Sequence, residues 1–86
     1  MPVIYYRKRA YTSYLASQTW HTKRTAALQR AGQRCQWIGE GERCAVTVGL
    51  HVHHVTYKHF GRERAADLLV LCRAHHEYVH GRKIGR

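Results

Sequence analysis

The chain has 86 residues, which is enough for one domain, and it carries fifteen lysines and arginines against five acidic residues. The apolar core of so short a chain gives only marginal stability. No apolar run could span a membrane and no secretory signal is visible, so we expect a cytoplasmic protein with reduced cysteines. The net charge of +10 favours a polyanionic partner, with nucleic acid preferred over a membrane surface.

The N-terminal third predicts a basic arm followed by one amphipathic helix. Residues 1–12 are rich in tyrosine and arginine without a clear period. Residues 13–31 place apolar side chains near one face, which is typical of a helix that packs on a core. Ser13 or Ser17 could cap its start, and Gly32 stands where a helix commonly ends.

The middle of the chain predicts a loop between two cysteines and then β-structure. Residues 35–44 begin and end with cysteine and contain two glycines, which favours a turn. Residues 45–57 are rich in valine and threonine, and they predict two short strands interrupted near Gly49. A polar loop follows over residues 58–66.

The C-terminal third predicts an apolar segment and a short helix. Residues 67–71 are apolar after Asp67 and lead into Cys72, and the helix is expected over residues 73–81, ending at Gly81. Residues 82–86 form a basic tail. Together the elements predict one small α+β domain over residues 13–81.

Cysteines and histidines separate into two candidate ligand sets. Soft thiolates with one imidazole and no open position describe a structural zinc site, for which the candidates are Cys35, Cys44, Cys72 and His75. The spacing of the first two cysteines is longer than in a usual zinc knuckle, which leaves three free buried cysteines as the alternative.

The second set has the donors of a catalytic metal site. His76 and His80 are four residues apart and share one helix face, while the adjacent His53 and His54 point to opposite sides of a strand. Three neutral imidazoles, from His53, His76 and His80, would leave a divalent ion an open position. His54 would then be free to accept a proton from an attacking water.

Over roughly residues 14–80 the sequence resembles the HNH endonucleases of bacteria and phages. The resemblance is carried by the run Leu50-His51-Val52-His53-His54-Val55-Thr56-Tyr57, then Phe60-Gly61-x-Glu63, then Asp67-Leu68-x-x-Leu71-Cys72-x-x-His75-His76-x-x-x-His80. Upstream, Trp20-x-x-Lys23-Arg24 and Arg30-Ala31-Gly32-x-Arg34-Cys35 are similar to the lead-in of such proteins.

The resemblance implies a ββα-metal (HNH, or His-Me finger) core with an N-terminal helix and a zinc knuckle. It places His54 at the general base and His53, His76 and His80 at a catalytic metal, for which Zn²⁺, Ni²⁺, Mn²⁺ and Mg²⁺ are candidates. The structural zinc ligands are the same four residues that the spacing indicated. Many members carry cysteine where His75 stands, and histidine still binds zinc.

Asp67 stands where the middle asparagine of the family motif is expected. It is predicted to brace the hairpin loop in catalysis or to orient His54 as an Asp–His pair. An aspartate accepts hydrogen bonds but has no amide donor. The alternative is a helix or turn cap before Leu68.

The expected activity is hydrolysis of phosphodiester bonds in DNA, or in RNA, inside a bacterial or phage-infected cell. A homodimer or a larger phage or defence assembly is left open as a partner. Two other functions are retained: a non-catalytic zinc-stabilised module that binds nucleic acid, and a degenerate nuclease scaffold. The candidate phosphate contacts are Lys23, Arg24, Lys58, Arg62 and Arg64.

Overall fold

The computed structural model describes the backbone of residues 12–84 and the side chains of residues 12–81. The predicted basic arm lies outside the described residues except for Thr12, and so do the last two residues of the predicted tail. Two α-helices, one 3-10 helix (Ala65–Asp67) and two antiparallel two-stranded sheets confirm a small α+β fold for the described part. In chain order the elements are α1 (Gln18–Arg30), β1 (Ile38–Gly39), β2 (Glu42–Arg43), β3 (Leu50–His54), β4 (Leu68–Cys72) and α2 (Arg73–Ile84).

Ser17 divides the predicted helix of residues 13–31 into a short helical turn over residues 12–15 and helix α1. Its backbone is extended, its hydroxyl oxygen accepts the Trp20 N–H at 3.2 Å, and its hydroxyl donates to the Tyr14 carbonyl at 2.6 Å. One side chain thus ends the first turn and caps the start of α1. Gly32, with φ +70°, follows the α1 C-cap as predicted.

The loop between Cys35 and Cys44 is a small hairpin of β1 and β2. Glu40 and Gly41 connect the strands, and both have positive φ, as in the type I′ turn that suits a two-residue connection. Arg34 donates to two carbonyl oxygens of this segment, those of Arg43 and Cys44. The first and last residues of the hairpin segment are therefore held close together.

Arg43 connects the same segment to the end of α1. Its guanidinium donates to the carbonyl oxygens of Ala31, Arg34 and Cys35. These carbonyls follow the last turn of α1, where backbone acceptors lack helical partners. The guanidinium groups of Arg43 and Arg34 are thus occupied by hydrogen bonds within the protein. These bonds position Cys35 and Cys44.

Strands β3 and β4 form the central hairpin, with His53 opposite Leu69 and His54 opposite Leu68. The prediction of two strands within residues 45–57 was wrong, because only β3 lies there. Residues 44–47 have no regular structure, and Val48 is 76% exposed. The partner of β3 is β4, which the sequence showed only as an apolar segment.

The central hairpin is covered on both faces. Leu68 and Val70 of β4 pack with Trp20 and Ala27 of α1, which confirms the predicted apolar face of that helix. On the other face, Leu69 and Leu71 pack with Val79 of α2 and with the cysteine cluster. Alternate residues of β4 therefore serve two separate cores.

Helix α2 begins directly after β4 and runs back across the hairpin. It continues to Ile84, so the predicted end at Gly81 was wrong. A glycine inside a helix costs about 1 kcal/mol relative to alanine, and the surrounding helix tolerates it. Within residues 12–84, neither helix combines the length and the apolar character needed to cross a bilayer.

Candidate metal centres

The first candidate centre is the Cys3His cluster formed by Cys35, Cys44, Cys72 and His75. Their sulfur and nitrogen atoms all lie within 4.8 Å of one another. His75 Nδ1 is 3.6 Å from Cys35 Sγ and 3.3 Å from Cys72 Sγ. Tetrahedral zinc with sulfur and nitrogen ligands separates its donors by about 3.3–3.8 Å. Both measured separations from His75 fall in this range, so the four side chains form a cluster that could hold one metal ion.

Each ligand of the Cys3His cluster comes from a different element. Cys35 follows α1, Cys44 follows β2, Cys72 ends β4, and His75 lies in the first turn of α2. Cys35 and Cys72 are buried. The Trp37 ring stacks on the His75 ring at 4.9 Å between centroids. A bound ion would thus connect four elements beneath an aromatic cover.

The cysteine thiols differ in their surroundings. Burial raises the pKa of the Cys72 thiol, but the backbone N–H groups of His75 and Ala74 and the neighbouring thiols lower it below its usual value overall. Burial raises the pKa of Cys35. A lowered thiol pKa favours the thiolate that metal binding requires.

The second candidate centre is the histidine triad of His53, His76 and His80. One ring nitrogen from each lies within 4.8 Å of the others, and the Nε2 atoms of His76 and His80 are 3.1 Å apart. Imidazoles around a tetrahedral ion at about 2.0–2.1 Å stand about 3.3 Å apart. The strand and the helix thus bring together all three predicted ligands of the catalytic metal.

A fourth imidazole, which the sequence interpretation left without a role, adjoins the histidine triad. His51 lies on the same face of β3 as His53, and its ring centroid is 4.8 Å from that of His76. Burial and the neighbouring His80 and His51 lower the pKa of His76. This favours the neutral imidazole, which is the form that binds metal.

His54 lies on the opposite face of β3, where two aromatic rings and one carboxylate hold its imidazole ring in place. Its ring stacks between Trp20 and Tyr57, with 4.9 Å between centroids on each side. Nε2 is 2.8 Å from the Glu63 carboxylate, and the His54 side chain is only 3% exposed. An ionised carboxylate can only accept a hydrogen bond, so Nε2 of His54 carries the proton that it donates to Glu63. In the neutral ring, Nδ1 then has the free lone pair and is the atom that can accept a proton.

Glu63 is a candidate site residue to which the sequence interpretation gave no role. Its side chain is completely buried and receives hydrogen bonds from Tyr14 at 2.7 Å and from Lys23 at 3.2 Å, besides that of His54. Burial alone would raise its pKa, but these donors lower it to about 2. The available signal was Phe60-Gly61-x-Glu63, an acidic residue in a basic chain within reach of a buried histidine.

Stability should depend on Glu63 in a defined pH range. The folded pKa of about 2 lies below the ordinary value of 4.5, so its contribution is complete above pH 4.5 and is lost as pH falls towards 2. The shift corresponds to about 3 kcal/mol. We expect Glu63→Gln to lower the free energy of unfolding at neutral pH, and the difference from the parent to shrink on acidification. Urea unfolding of both proteins at several pH values measures this difference in the free energy of unfolding.

The matched control for Glu63→Gln is Glu77→Gln. Glu77 pairs with Arg73 on the exposed face of α2, where an ion pair contributes little. An equal loss of stability in both variants, or a difference between Glu63→Gln and the parent that is the same at pH 7 and pH 3, would contradict the role given to Glu63.

Asp67 fixes the loop between the central strands. Its carboxylate accepts the Arg64 backbone N–H at 2.9 Å and lies 3.1 Å from His59 Nδ1, and its carbonyl oxygen accepts the Val55 N–H. The hydrogen bond from the Arg64 backbone N–H is the largest cause of the lowered Asp67 pKa. The structure thus contains the predicted cap and a brace across the loop, while the carboxylate on His54 is that of Glu63.

The predicted phosphate contacts have different surroundings. Lys23 donates to Glu63 and to the Gly61 carbonyl, so its charge is neutralised inside the protein. Arg64 is exposed, and its guanidinium lies 3.6 Å from the buried carboxylate of Asp67. Lys58 and Arg62 are exposed on the loop between β3 and β4, and Arg24 is half-buried on α1. Among the described side chains, none forms an ion pair with Arg24, Lys58 or Arg62, so these three charges are available to a ligand.

Comparisons with protein-family models, with curated proteins and with solved structures find no match to this chain. Function is therefore inferred from its own side chains: a Cys3His cluster, a histidine triad, and a histidine held by a buried glutamate.

Proposed function

We propose that this protein is a metal-dependent HNH-type endonuclease that hydrolyses phosphodiester bonds in DNA. One observation carries the proposal: two adjacent histidines of β3 serve two different groups of side chains. His53 joins His76 and His80 in the triad, and His54 is fixed by Glu63. Hairpin β3–β4 with α2 would then be a ββα-metal core, and the Cys3His cluster would be its structural zinc site.

In this mechanism the histidine triad holds one divalent ion. When bound, the ion supplies Lewis-acid stabilisation of the charge that develops on the phosphate and on the leaving 3′ oxygen. Three imidazoles without a carboxylate leave its full charge for that purpose. This donor set suits Zn²⁺, Ni²⁺ or Mn²⁺ better than Mg²⁺, which prefers oxygen ligands.

His54 would act as the general base. Its Nδ1 would accept a proton from a water, whose oxygen forms a bond to phosphorus while the bond from phosphorus to the 3′ oxygen breaks. The departing 3′ oxygen would take a proton from solvent. Glu63 holds the opposite ring nitrogen protonated, and the stacked Trp20 and Tyr57 keep the ring from turning. The base is thus oriented before substrate arrives, which avoids an entropic cost in the transition state.

The triad can be tested separately from the fold. We expect His76→Ala to lose DNA hydrolysis at low metal concentration, because two imidazoles bind an ion less tightly than three. The Cys3His cluster should still retain one metal ion per chain, measured by elemental analysis. His21→Ala, which changes an exposed histidine of α1, is the matched control. Hydrolysis by His76→Ala with the parent's metal dependence would remove the triad from the mechanism.

DNA affinity should depend strongly on salt, because the chain carries +10 formal charges. Three phosphate contacts would weaken binding by about 40-fold between roughly 50 and 200 mM salt. The slope of log affinity against log salt concentration reports the number of phosphate contacts. Arg62→Met should reduce this slope by the amount of about one contact, whereas Arg30→Met, at the end of α1, should leave it unchanged. Fluorescence anisotropy with labelled DNA measures this. A slope near zero would exclude phosphate binding by these side chains.

A further inference from the structure

A cleft of about 310 Å³ lies between α1, the turn before it, and β3. One part of its lining is apolar and is formed by Leu15, Leu50 and Val52. The polar part includes Arg24. Sites for small ligands begin at about this volume and combine an apolar lining with a few polar groups.

The cleft adjoins both parts of the proposed catalytic machinery. His54, the proposed base, lines it, and so does His76 of the histidine triad. A group bound there would lie next to the phosphate that is attacked. The cleft is therefore placed to bind the nucleotide beside the scissile bond.

Arg24 supplies a charge for the phosphate of such a nucleotide. It is half-buried at the cleft, and within residues 12–81 its guanidinium has neither an ion pair nor a hydrogen bond. A partly desolvated guanidinium without a carboxylate favours a bidentate anion such as phosphate. Lys23, one residue earlier, already pairs with Glu63, so Arg24 is the one of these two neighbouring cations that can bind the phosphate.

The apolar lining indicates what accompanies the phosphate. A charged phosphate gains nothing from contact with the apolar side chains of Leu15, Leu50 and Val52. The apolar face of a nucleobase could pack on them. A base stacked inside a duplex cannot enter a cleft of nucleotide size without first leaving the stack, which costs free energy. An already unpaired base enters without that cost.

We infer that the cleft binds one unpaired nucleotide next to the scissile phosphate, so that the preferred substrate is single-stranded or locally unpaired DNA. The inference deepens the proposed nuclease function and rests on it. Leu15, Leu50 and Val52 contact the base, and Arg24 contacts its phosphate.

Binding to two probes without added divalent ion tests the inference. The probes are a short fluorescein-labelled DNA strand and the same strand in a duplex, measured by anisotropy at matched salt. We expect the single strand to bind roughly tenfold more tightly, a difference comparable to placing one base on a protein surface. Leu15→Phe, which fills the cleft, should remove this difference by weakening single-strand binding alone. Equal affinity for both probes in the parent would overturn the inference.

Two further comparisons keep the test decisive. Leu28→Phe makes the same change at a half-buried position of α1 outside the cleft, and it should keep the preference. If Leu15→Phe does not fold, Arg24→Met should weaken single-strand binding more than duplex binding, whereas Arg30→Met should not. Equal weakening of both probes by Arg24→Met would overturn the inference. A chain that prefers the single strand but never cuts DNA would overturn the nuclease proposal and leave the cleft's ligand standing.

Discussion

Replacing His54 with alanine is expected to slow DNA hydrolysis by about 10²- to 10⁴-fold. The variant loses the group that accepts the proton of the attacking water, while the three imidazoles of the triad remain. Its DNA affinity and metal content should therefore stay close to those of the parent. Single-turnover cleavage of labelled DNA at saturating metal measures the chemical step without a contribution from product release.

The loss in His54→Ala must be separated from a loss of packing. His54 stacks on Trp20 and Tyr57, so removing its ring also opens space in the fold. His54→Gln keeps much of the volume and a polar group but provides no base of useful strength. Both variants should therefore be slowed about 10²- to 10⁴-fold while keeping an intact circular dichroism spectrum. Cleavage at the parent's rate by either variant would exclude His54 as the general base.

Cys72→Ser should abolish the native structure or leave it only partly populated. Structural zinc contributes about 10–16 kcal/mol to small zinc-dependent folds, which equals or exceeds the net stability of a typical domain. Serine has nearly the size of cysteine but is a poor zinc ligand, so the change removes metal affinity with little change in packing. Elemental analysis and amide chemical-shift dispersion measure the two effects.

His80→Ala is the comparison for Cys72→Ser. It removes a ligand from the other metal set, so the variant should remain folded and should retain the ion of the Cys3His cluster. A metal-free Cys72→Ser protein with native shift dispersion would show that the cluster does not support the fold. Unfolding of both variants to the same extent would show that the two ligand sets are not independent.

Ligand spacing and helix periodicity could be interpreted from the sequence because each depends on local geometry. His76 and His80 fall on one face of any helix, and adjacent histidines of a strand face opposite sides. The structure brings His53, His76 and His80 together, as it does the four ligands of the Cys3His cluster. Ser17 was one of two cap candidates, and its hydrogen bonds identify it as the cap of α1.

The remaining features depend on contacts between distant parts of the chain. Val46 and Val48 have strand propensity but lie in no strand, and residues 12–84 supply no strand beside them, so propensity alone predicted β-structure that this part of the chain does not form. Gly81 did not end α2, because a glycine only weakens a helix that continues on both sides. Glu63 meets Tyr14 from 49 residues earlier, and only the folded chain reveals that contact.

Nicking of supercoiled plasmid by chelator-treated protein tests the central claim most directly. After treatment with a mild chelator, the protein should retain one ion in its Cys3His cluster and should not nick the plasmid. Separate addition of Mn²⁺, Ni²⁺, Zn²⁺ or Mg²⁺ should restore nicking, and the first three ions should be more effective than Mg²⁺. His54→Ala should nick about 10²- to 10⁴-fold more slowly than the parent with each of these ions. If folded protein that still binds DNA never nicks the plasmid with any ion, the nuclease proposal is wrong, and a zinc-stabilised module that only binds nucleic acid accounts for the same charge and the same cluster.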